Sequence, residues 1–501
     1  MSTISKFKTS VLGAGFAGLT ASASLAKHGM EVDVFEKNDG PGGRCRVIKE
    51  DGFTFDMGPS WYWMPDVFEK YFNRFDKSTS DYFELKKLDP GFRIYFGRNE
   101  FMDIPNTLDE QKELFESLEE GSGAKLEKFL NESKLKYEVG INDLVYKPSY
   151  SLFEFFSFDI IYKMIKMNAL QSIHDYIRSS FKHPHIIALL EFPVLFLGGT
   201  AKNTPSLYSL MNYSCLSQGT FYPMGGFYKL SEAMYELAKE QGVNFHFNAP
   251  IEQLNIANKK ITEVHNGKVH DTDGIVSSVD YHFMEKQLLA NKANYSEDYW
   301  NKRVMSPSAL IFYLGVKGKV KNLIHHNLFF DEDFDEHAKQ IYDNPEWPDN
   351  PLFYVCCPSK TDDSVAPAED ENLFILMPLA PGITDNETTR EAYFDKIMTR
   401  LEKIIDDKIS DRLIVKKSYC IKDFESDYNS FKGNAYGLAN TLRQTAMFKP
   451  SMKSKHVKNL FHAGQLTVPG PGVPPAIISG QLAASQLLSY LTHEPYEKYL
   501  R

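Results

Sequence analysis

Five cysteines in 501 residues are too few and too irregularly spaced for a disulfide framework, which points to a reducing compartment. The adjacent Cys356 and Cys357 sit in a strand-like run and read as structural rather than redox-active. No run of eighteen apolar residues occurs, so no helix is expected to span a bilayer and any membrane contact is peripheral. Excess positive charge is also missing: the formal charge is −10, and phosphate backbones need a basic face, so nucleic acid is excluded as a partner. No metal-ligand spacing is found. Asp362-Asp363 and Glu369-Asp370-Glu371 read as a solvated loop, and no metal is expected. Lys6 and Lys8 ahead of an alanine-rich stretch to Ala26 imitate a secretory leader, but a glycine pattern fills that stretch, so the expected location is cytoplasmic.

That pattern is Gly13-Ala14-Gly15-Phe16-Ala17-Gly18, set between an apolar strand at residues 9–12 and a helix-forming run. A second apolar strand at residues 32–35 leads to Glu36, eighteen residues after Gly18. This is a dinucleotide-binding βαβ unit. Gly13 permits the tight turn, Gly15 lets a pyrophosphate approach the backbone, and Gly18 lets the helix pack on the strand. The helix N-terminus faces the phosphates, and the Glu36 carboxylate accepts from ribose hydroxyls and repels a 2′-phosphate, which disfavours NADP. Lys37-Asn38-Asp39-Gly40-Pro41-Gly42-Gly43-Arg44 and then residues 52–60 bring further glycine close behind. They suggest backbone passing close to a cofactor larger than nicotinamide, with Arg44 as a fixed guanidinium beside it.

Beyond this unit the chain divides by texture. Residues 1–104 hold the first dinucleotide segment, and residues 105–204 turn helical, with Leu126, Phe129 and Leu130 spaced for one face. Within them, residues 150–167 are dominated by aromatic and bulky apolar side chains and flanked by Lys163, Lys166, Arg178 and Lys182. That composition suits an interfacial helix and equally a helix packed between domains. Residues 205–299 return to dinucleotide texture: Tyr222-Pro223-Met224-Gly225-Gly226, a helix carrying Leu230, Met234, Leu237 and Ala238, an alternating strand with Val243, Phe245 and Phe247, and a strand at 261–264. Residues 300–430 carry β-like runs at 309–315, 352–355 and 373–378 and read as a substrate domain with a mixed sheet. Residues 431–501 close the dinucleotide domain through a Pro/Gly-rich turn at 469–475 and a helix from Ala476, whose N-terminal dipole suits an anionic acceptor. Aromatics make up 14% of the chain, enough for an aromatic-lined cavity and equally compatible with an aromatic-rich core.

Together these segments resemble the flavin-dependent amine oxidase superfamily and, within it, the bacterial-type phytoene desaturases and related carotenoid desaturases. Residues 13–18 and Gly42-Gly43-Arg44 carry the broad likeness. Gly52-Phe53-Thr54-Phe55-Asp56-Met57-Gly58-Pro59 and Pro469-Gly470-Pro471-Gly472-Val473-Pro474 carry the narrower one. The resemblance implies an α/β (α+β overall) architecture: a Rossmann-like FAD-binding domain, a mixed-sheet substrate domain and a helical membrane-facing subdomain. It implies noncovalent FAD along Gly13, Ala14, Gly15, Ala17, Gly18, Glu36, Lys37, Gly43 and Arg44, with Gly58, Pro59, Ser60 and Trp61 at the isoalloxazine. Ile251 matches the position whose main chain meets the adenine, and Gly464, Gln465, Gly472 and Val473 complete the site.

The implied reaction is insertion of a conjugated C=C into a C40 carotenoid, either phytoene-type or a later monocyclic or 1-hydroxy carotenoid desaturated at C3–C4. No catalytic acid or base is nominated, because a proton beside a polyene-stabilised cation leaves to water or a weak carboxylate. With one dinucleotide fingerprint only, a quinone or oxygen is the expected electron acceptor. A flavin amine oxidase and a non-enzymatic lipid-binding escort share parts of the same pattern. Many relatives carry Gly-Ala-Gly-Thr-His-Pro-Gly where this chain has Gly464-Gln465-Leu466-Thr467-Val468-Pro469-Gly470, and glycine where it has Pro475, so this side of the flavin is expected to be shaped differently.

Overall fold

The structure, a computed structural model, describes residues 7–151, 154, 171–441 and 443–500. Its first layer is a five-stranded parallel sheet in the order Leu460–His462, Gly274–Ser277, Lys8–Leu12 (β1), Glu31–Phe35 (β2), Asn244–His246. Parallel strands are buried on both faces and therefore apolar throughout. Val11, Val34 and Val276 point to one side, against helix α1 (Phe16–Lys27) and the helices Tyr228–Glu240 and Val473–Thr492. Leu12, Phe35 and Ile275 point to the other, against a three-stranded antiparallel sheet of Gln253–Ala257, Lys260–His265 and Val269–Asp271. The run expected at 261–264 thus belongs to a separate covering sheet, and the expected alternating strand narrows to Asn244–His246.

The second layer is a seven-stranded mixed sheet ordered Leu413–Tyr419, Ser308–Val316, Glu371–Leu379, Phe353–Cys356, His326–Phe329, Phe92–Gly97, Glu100–Ile104. All its pairings are antiparallel except that of His326–Phe329 with Phe92–Gly97. Ser308–Val316 alternates strictly: Leu310, Phe312 and Leu314 pack under the helix Glu387–Ile405, while Ala309, Ile311 and Tyr313 face the dinucleotide unit. Burial on both sides makes the strand apolar throughout. Phe92–Gly97 and Glu100–Ile104 lie within the 1–104 stretch expected to belong to the dinucleotide unit, yet they hydrogen-bond into the substrate-side sheet. Their partner is more than two hundred residues away, so local pattern carries no trace of the pairing.

Between Glu100–Ile104 and Phe221–Pro223 in the chain lies a helical region with Leu108–Leu118, Ser122–Val139, Ile173–Ser180 and Pro184–Glu191. Thr107 and Ser172 cap two of these helices by accepting from the N–H groups of Glu110 and Asp175. Leu126, Phe129 and Leu130 are buried as their spacing requires. Most of the aromatic stretch at 150–167, with Lys163 and Lys166, lies outside the described residues. Of the flanking cations that are described, Arg178 pairs with Glu191 at 3.0 Å, and the Lys182 ammonium donates to the Arg178 carbonyl. Among the described residues no helix is long and apolar enough to cross a membrane.

Candidate functional site

The carboxyl edge of the parallel sheet gathers the glycine-rich segments. Gly13 adopts φ +92°, in the left-handed region, and its N–H donates to Phe35 O at 2.8 Å, closing the turn after β1. Gly15 ends the turn as the N-cap of α1 and offers no capping side chain, so the first-turn amides of that helix have no local acceptor. A Cβ on Gly15 would meet only Gly43 Cα, at 3.9 Å, whereas one on Gly18 would lie 1.9 Å from Gly13 O and 2.6 Å from Ser278 Oγ. Space over Gly15 and none over Gly18 are what a phosphate approach and a tight helix contact require. Ala14 and Ala17 are buried, and the Ala17 carbonyl lies 2.3 Å from where a Cβ of Gly480 would be, so α1 and the helix Val473–Thr492 touch backbone to backbone.

Glu36 is buried beside this turn, its Oε2 accepting from Ala14 N–H at 2.8 Å and its Oε1 from Asn38 N–H at 2.9 Å. Each oxygen keeps a second lone pair for a ribose hydroxyl. The Glu36 carbonyl accepts from Ala249 N–H, which carries the segment holding Ile251 to the same place. Ile251 lies just outside the strand Gln253–Ala257, in contact with the core beneath the sheet. Lys37 turns elsewhere, donating to the Ser426 carbonyl.

The second glycine segment crosses the first. Gly42 N–H donates to Ala14 O at 2.8 Å, and a Cβ on Gly43 would sit 3.1 Å from Gly15 Cα. Arg44 runs inward from there and is held by Ser430 Oγ at 3.0 Å, Asn434 O at 3.3 Å and the face of Tyr428 at 5.1 Å. Gln465, with its amide nitrogen toward Tyr436 O, presents its oxygen to Arg44 Nη2 at 3.0 Å. Burial lowers the guanidinium pKa, opposed by the charge of Asp280. The Arg44 Nε is buried with no hydrogen-bond partner among the described residues. Gly58 lies against the Arg44 carbonyl, where a Cβ would approach to 2.5 Å, and Pro59 and Ser60 continue from it toward the mixed sheet.

The C-terminal segment completes the ring. Gly464, at φ +106°, donates to Ser479 Oγ at 2.9 Å, and a Cβ on it would meet nothing nearer than Ser278 O at 4.0 Å. Gly472 caps the final helix without a side-chain acceptor, and the helix begins at Val473, three residues before the expected Ala476. Pro474 and Pro475 therefore stand inside the first turn and remove two of its amides, leaving the Val473 N–H and the dipole to face the site. Two helix N-termini without capping side chains, open space over Gly15 and Gly464, and an unpaired buried donor on Arg44 make a donor-lined cradle that suits a flavin dinucleotide.

Just past Gly58, Trp61 and Phe192 pack with Phe92, His326 and Tyr354 of the mixed sheet into an aromatic cluster. Trp61 stacks on His326 with centroids 4.2 Å apart and planes within 11°, and touches Phe92 and Phe192. Ser60 Oγ lies 3.0 Å from the Tyr354 hydroxyl. A small cavity beside them is lined by Phe55, Asp56, Ser60, Tyr222, Cys356 and Phe374 among others. Asp56 accepts from the N–H groups of Phe227 and Tyr228, capping the helix Tyr228–Glu240 from a distant strand. Burial raises its carboxyl to about 6. Its neighbour Asp362, expected in a solvated loop, is instead buried and accepts from Gly225 N–H and the Tyr222 hydroxyl.

Sequence reasoning missed several of these groups. Ser278, whose Oγ lies 2.9 Å from the carbonyls of both Leu12 and Gly13, and Asp280, which caps the next helix, follow directly on the apolar strand Gly274–Ser277. That strand-then-cap pattern was the available signal. Tyr428, Ser430 and Asn434 around Arg44 carry no local signature, because they meet it only through the fold.

Comparison with known proteins agrees with this geometry. A model of the family "Flavin containing amine oxidoreductase" matches residues 16–488. The chain is 37% identical over 491 residues to a carotenoid 3,4-desaturase of Haloarcula japonica, covering 97% of this chain and 99% of that one. It is 30% identical to the zeta-carotene-forming phytoene desaturase of Myxococcus xanthus, over 96% of this chain and 93% of that one. A 4,4'-diapophytoene desaturase of Staphylococcus haemolyticus is likewise 30% identical, with 96% and 99% covered. Among solved structures, an oxidoreductase from Methanosarcina mazei superposes with a TM-score of 0.63 at 16% identity, covering 94% of this chain and 98% of that one. A redesigned putrescine oxidase gives 0.60 at 12% identity, with 96% and 99% covered. Fold, cradle and full-length likeness converge: the chain belongs to the flavin-containing amine oxidoreductase family, on its carotenoid desaturase branch.

Proposed function

We propose that this chain holds FAD noncovalently and uses it to remove two hydrogens from a carotenoid at C3–C4, extending the conjugated system by one C=C. The reading that favours a 3,4-desaturation over a phytoene-type one rests on the 37% identity with the Haloarcula japonica protein against 30% with the phytoene-type relatives. Residues 464–473 contain no cysteine, histidine or tyrosine, which supports a noncovalent flavin. When bound, the flavin supplies the hydride acceptor. The chain's own residues hold and orient: Gly13, Gly15 and Gly18 shape the pyrophosphate cradle, Glu36 takes the ribose, and Arg44 sets its guanidinium among Ser430, Asn434 and Tyr428 while its carbonyl lies against Gly58.

The observation that carries the substrate class is the cluster of Trp61, Phe92 and Phe192, apolar rings packed together just past Gly58 and Pro59 and suited to a polyene rather than an ammonium group. Water is kept from such a cluster, so a proton leaving the substrate has few acceptors, and the Ser60–Tyr354 hydroxyl pair is the polar group set into it. Passing a C40 chain free through water costs tens of kcal/mol at roughly 0.8 kcal/mol per buried CH₂-sized unit. Delivery from a bilayer follows, and Phe155 and Phe156, which lie outside the described residues, are the side chains we assign to that contact. Electrons leave to a quinone or oxygen.

The test is product analysis with the full-length protein in membranes supplied separately with phytoene, lycopene and a 1-hydroxylated or monocyclic carotene. A red-shifted polyene spectrum with the last alone is the expected result. Desaturation of phytoene alone would move the assignment to the phytoene-type enzymes, and oxidation of soluble amines with no carotenoid turnover would overturn it.

A further inference from the structure

Antiparallel register places His326 directly opposite Cys356, so their side chains share the face of the mixed sheet that looks toward the dinucleotide unit. His325 joins them from the residue before the strand. The three donor atoms, one ring nitrogen from each histidine and Cys356 Sγ, lie within 4.8 Å of one another, and all three residues are buried. This is the group of metal-ligating side chains that the described residues bring together.

What the imidazoles do with their nitrogens is informative. His325 Nδ1 meets Thr361 Oγ1 at 2.8 Å and His326 Nδ1 meets the Tyr354 hydroxyl at 2.6 Å. The Nε2 atom of each is buried with no hydrogen-bond partner among the described residues. A buried nitrogen left unsatisfied is costly, and here there are two, on histidines that each bring a ring nitrogen within 4.8 Å of one thiol sulfur. In the tautomer in which each Nδ1–H donates to its hydroxyl, both Nε2 lone pairs are free. A ligating histidine commonly has that outer-shell arrangement, its second nitrogen fixed by a neighbour. Tyr354 is fixed in turn by Ser60.

We propose that His325 Nε2, His326 Nε2 and Cys356 Sγ bind one zinc ion, with a fourth position open to the adjoining cavity. Two nitrogens and one sulfur select a borderline-soft cation over magnesium or calcium. Zinc bonds of about 2.0–2.3 Å set tetrahedral donors about 3.5 Å apart, so from separations within 4.8 Å binding needs an inward movement of about an ångström at most. On binding, the S–H bond breaks, the S–Zn bond forms and the proton leaves to solvent, with no change of oxidation state. The thiolate leaves a net charge of +1, which faces Asp56 across the same cavity. A bound ion would tie His326–Phe329 to Phe353–Cys356 directly behind Trp61 and so fix the ring on which Trp61 stacks. The proposal is independent of the carotenoid reading.

The adjacent Cys357 provides the control. It faces the opposite side of the strand, with its sulfur near Ser359 and Glu371. Flavin-loaded full-length protein is stripped with a chelator, and zinc chloride is titrated against a chromophoric competitor. The expected result is one zinc per chain by elemental analysis, an affinity weakened about 100-fold or more in Cys356→Ser and His326→Gln, no change in Cys357→Ser, and equal flavin content throughout. Zinc at background level in the parent, unchanged affinity in Cys356→Ser, or an equal loss in Cys357→Ser overturns the site. If the cluster variants do not fold, zinc X-ray absorption on the parent decides it: sulfur in the first coordination sphere supports the site and its absence overturns it.

Discussion

Gly15 and Gly18 stand three residues apart in one motif, yet the structure gives them opposite roles, and substitution separates them. Gly15 has φ −73° and ψ 177°, a conformation any residue adopts, and its added Cβ meets only Gly43 Cα at 3.9 Å. Alanine there loses an N-cap preference of at most about 1 kcal/mol. Reduced freedom of the unfolded chain returns about 0.4–1 kcal/mol, so the flavin-free Gly15→Ala protein should melt close to the parent. The methyl nevertheless occupies the space a phosphate oxygen needs to reach the first-turn amides. Displacing one or two charge-assisted hydrogen bonds should cost about 2–4 kcal/mol, or roughly 30- to 700-fold in Kd, and Gly15→Val should cost at least as much. Gly18→Ala reverses the pattern: its Cβ would overlap Gly13 O at 1.9 Å, against backbone that has nowhere to go. Loss of about 3 kcal/mol of stability, the upper part of the usual range for overpacking, is expected there. The assay titrates flavin into deflavinated protein by fluorescence quenching, alongside thermal melts of the same samples. Parental flavin affinity in Gly15→Val, or parental stability in Gly18→Ala, would refute the reasoning.

Three further outcomes follow from named groups. Glu36→Ala should weaken flavin binding by about 1.5–3 kcal/mol, the scale of a charge-assisted hydrogen bond, and also release the amides of Ala14 and Asn38; unchanged affinity on titration would remove Glu36 from the ribose. Burial raises the Asp56 carboxyl from 3.8 to about 6, so its folded form binds the proton more tightly than its unfolded form. The stability it contributes is fully present below about pH 3.8 and is lost as pH rises through about 6, an effect of roughly 3 kcal/mol for two pK units. The stability difference between parent and Asp56→Asn should therefore fall between about pH 4 and 7 and then level off, and a flat difference across that window would contradict the burial argument. Replacing Phe155 and Phe156 together by Ser should reduce liposome binding and turnover of liposome-borne carotenoid while sparing flavin content; undiminished liposome binding would move the membrane contact elsewhere.

Legibility in the sequence followed the distance over which each feature is built. The turn from Gly13 to Gly18 and the carboxylate at Glu36 lie within one βαβ unit, so spacing alone located them, and the structure places both on one edge of the sheet. The C-terminal segment was legible for the same reason, through its own Pro/Gly run. Arg44 was visible as a residue, but its setting was not, since Tyr428, Ser430 and Asn434 arrive from nearly four hundred residues away. Asp56 stood within a quoted motif, yet its burial depends on the helix Tyr228–Glu240 docking its first turn there. The facing of His326 and Cys356 is a matter of strand register, which a one-residue slip would abolish and no spacing rule records.

The interleaving of the two sheets bears on how the protein is made. The parallel sheet takes its edge strand from Leu460–His462, and the mixed sheet joins Phe92–Ile104 to strands as late as Leu413–Tyr419. The mixed sheet cannot close before residue 419 has been made, nor the parallel sheet before residue 462. Until residues near 480 are synthesised, the fingerprint helix lacks the glycine-faced partner at Gly480, and the open strand edges are a hazard for misassembly. The cradle that suits a flavin is therefore completed only when the segment from Gly464 to Gly480 joins it. A chain cut short before the 464–472 turn lacks that side of the cradle, so loss of yellow colour is the outcome expected of such a truncation.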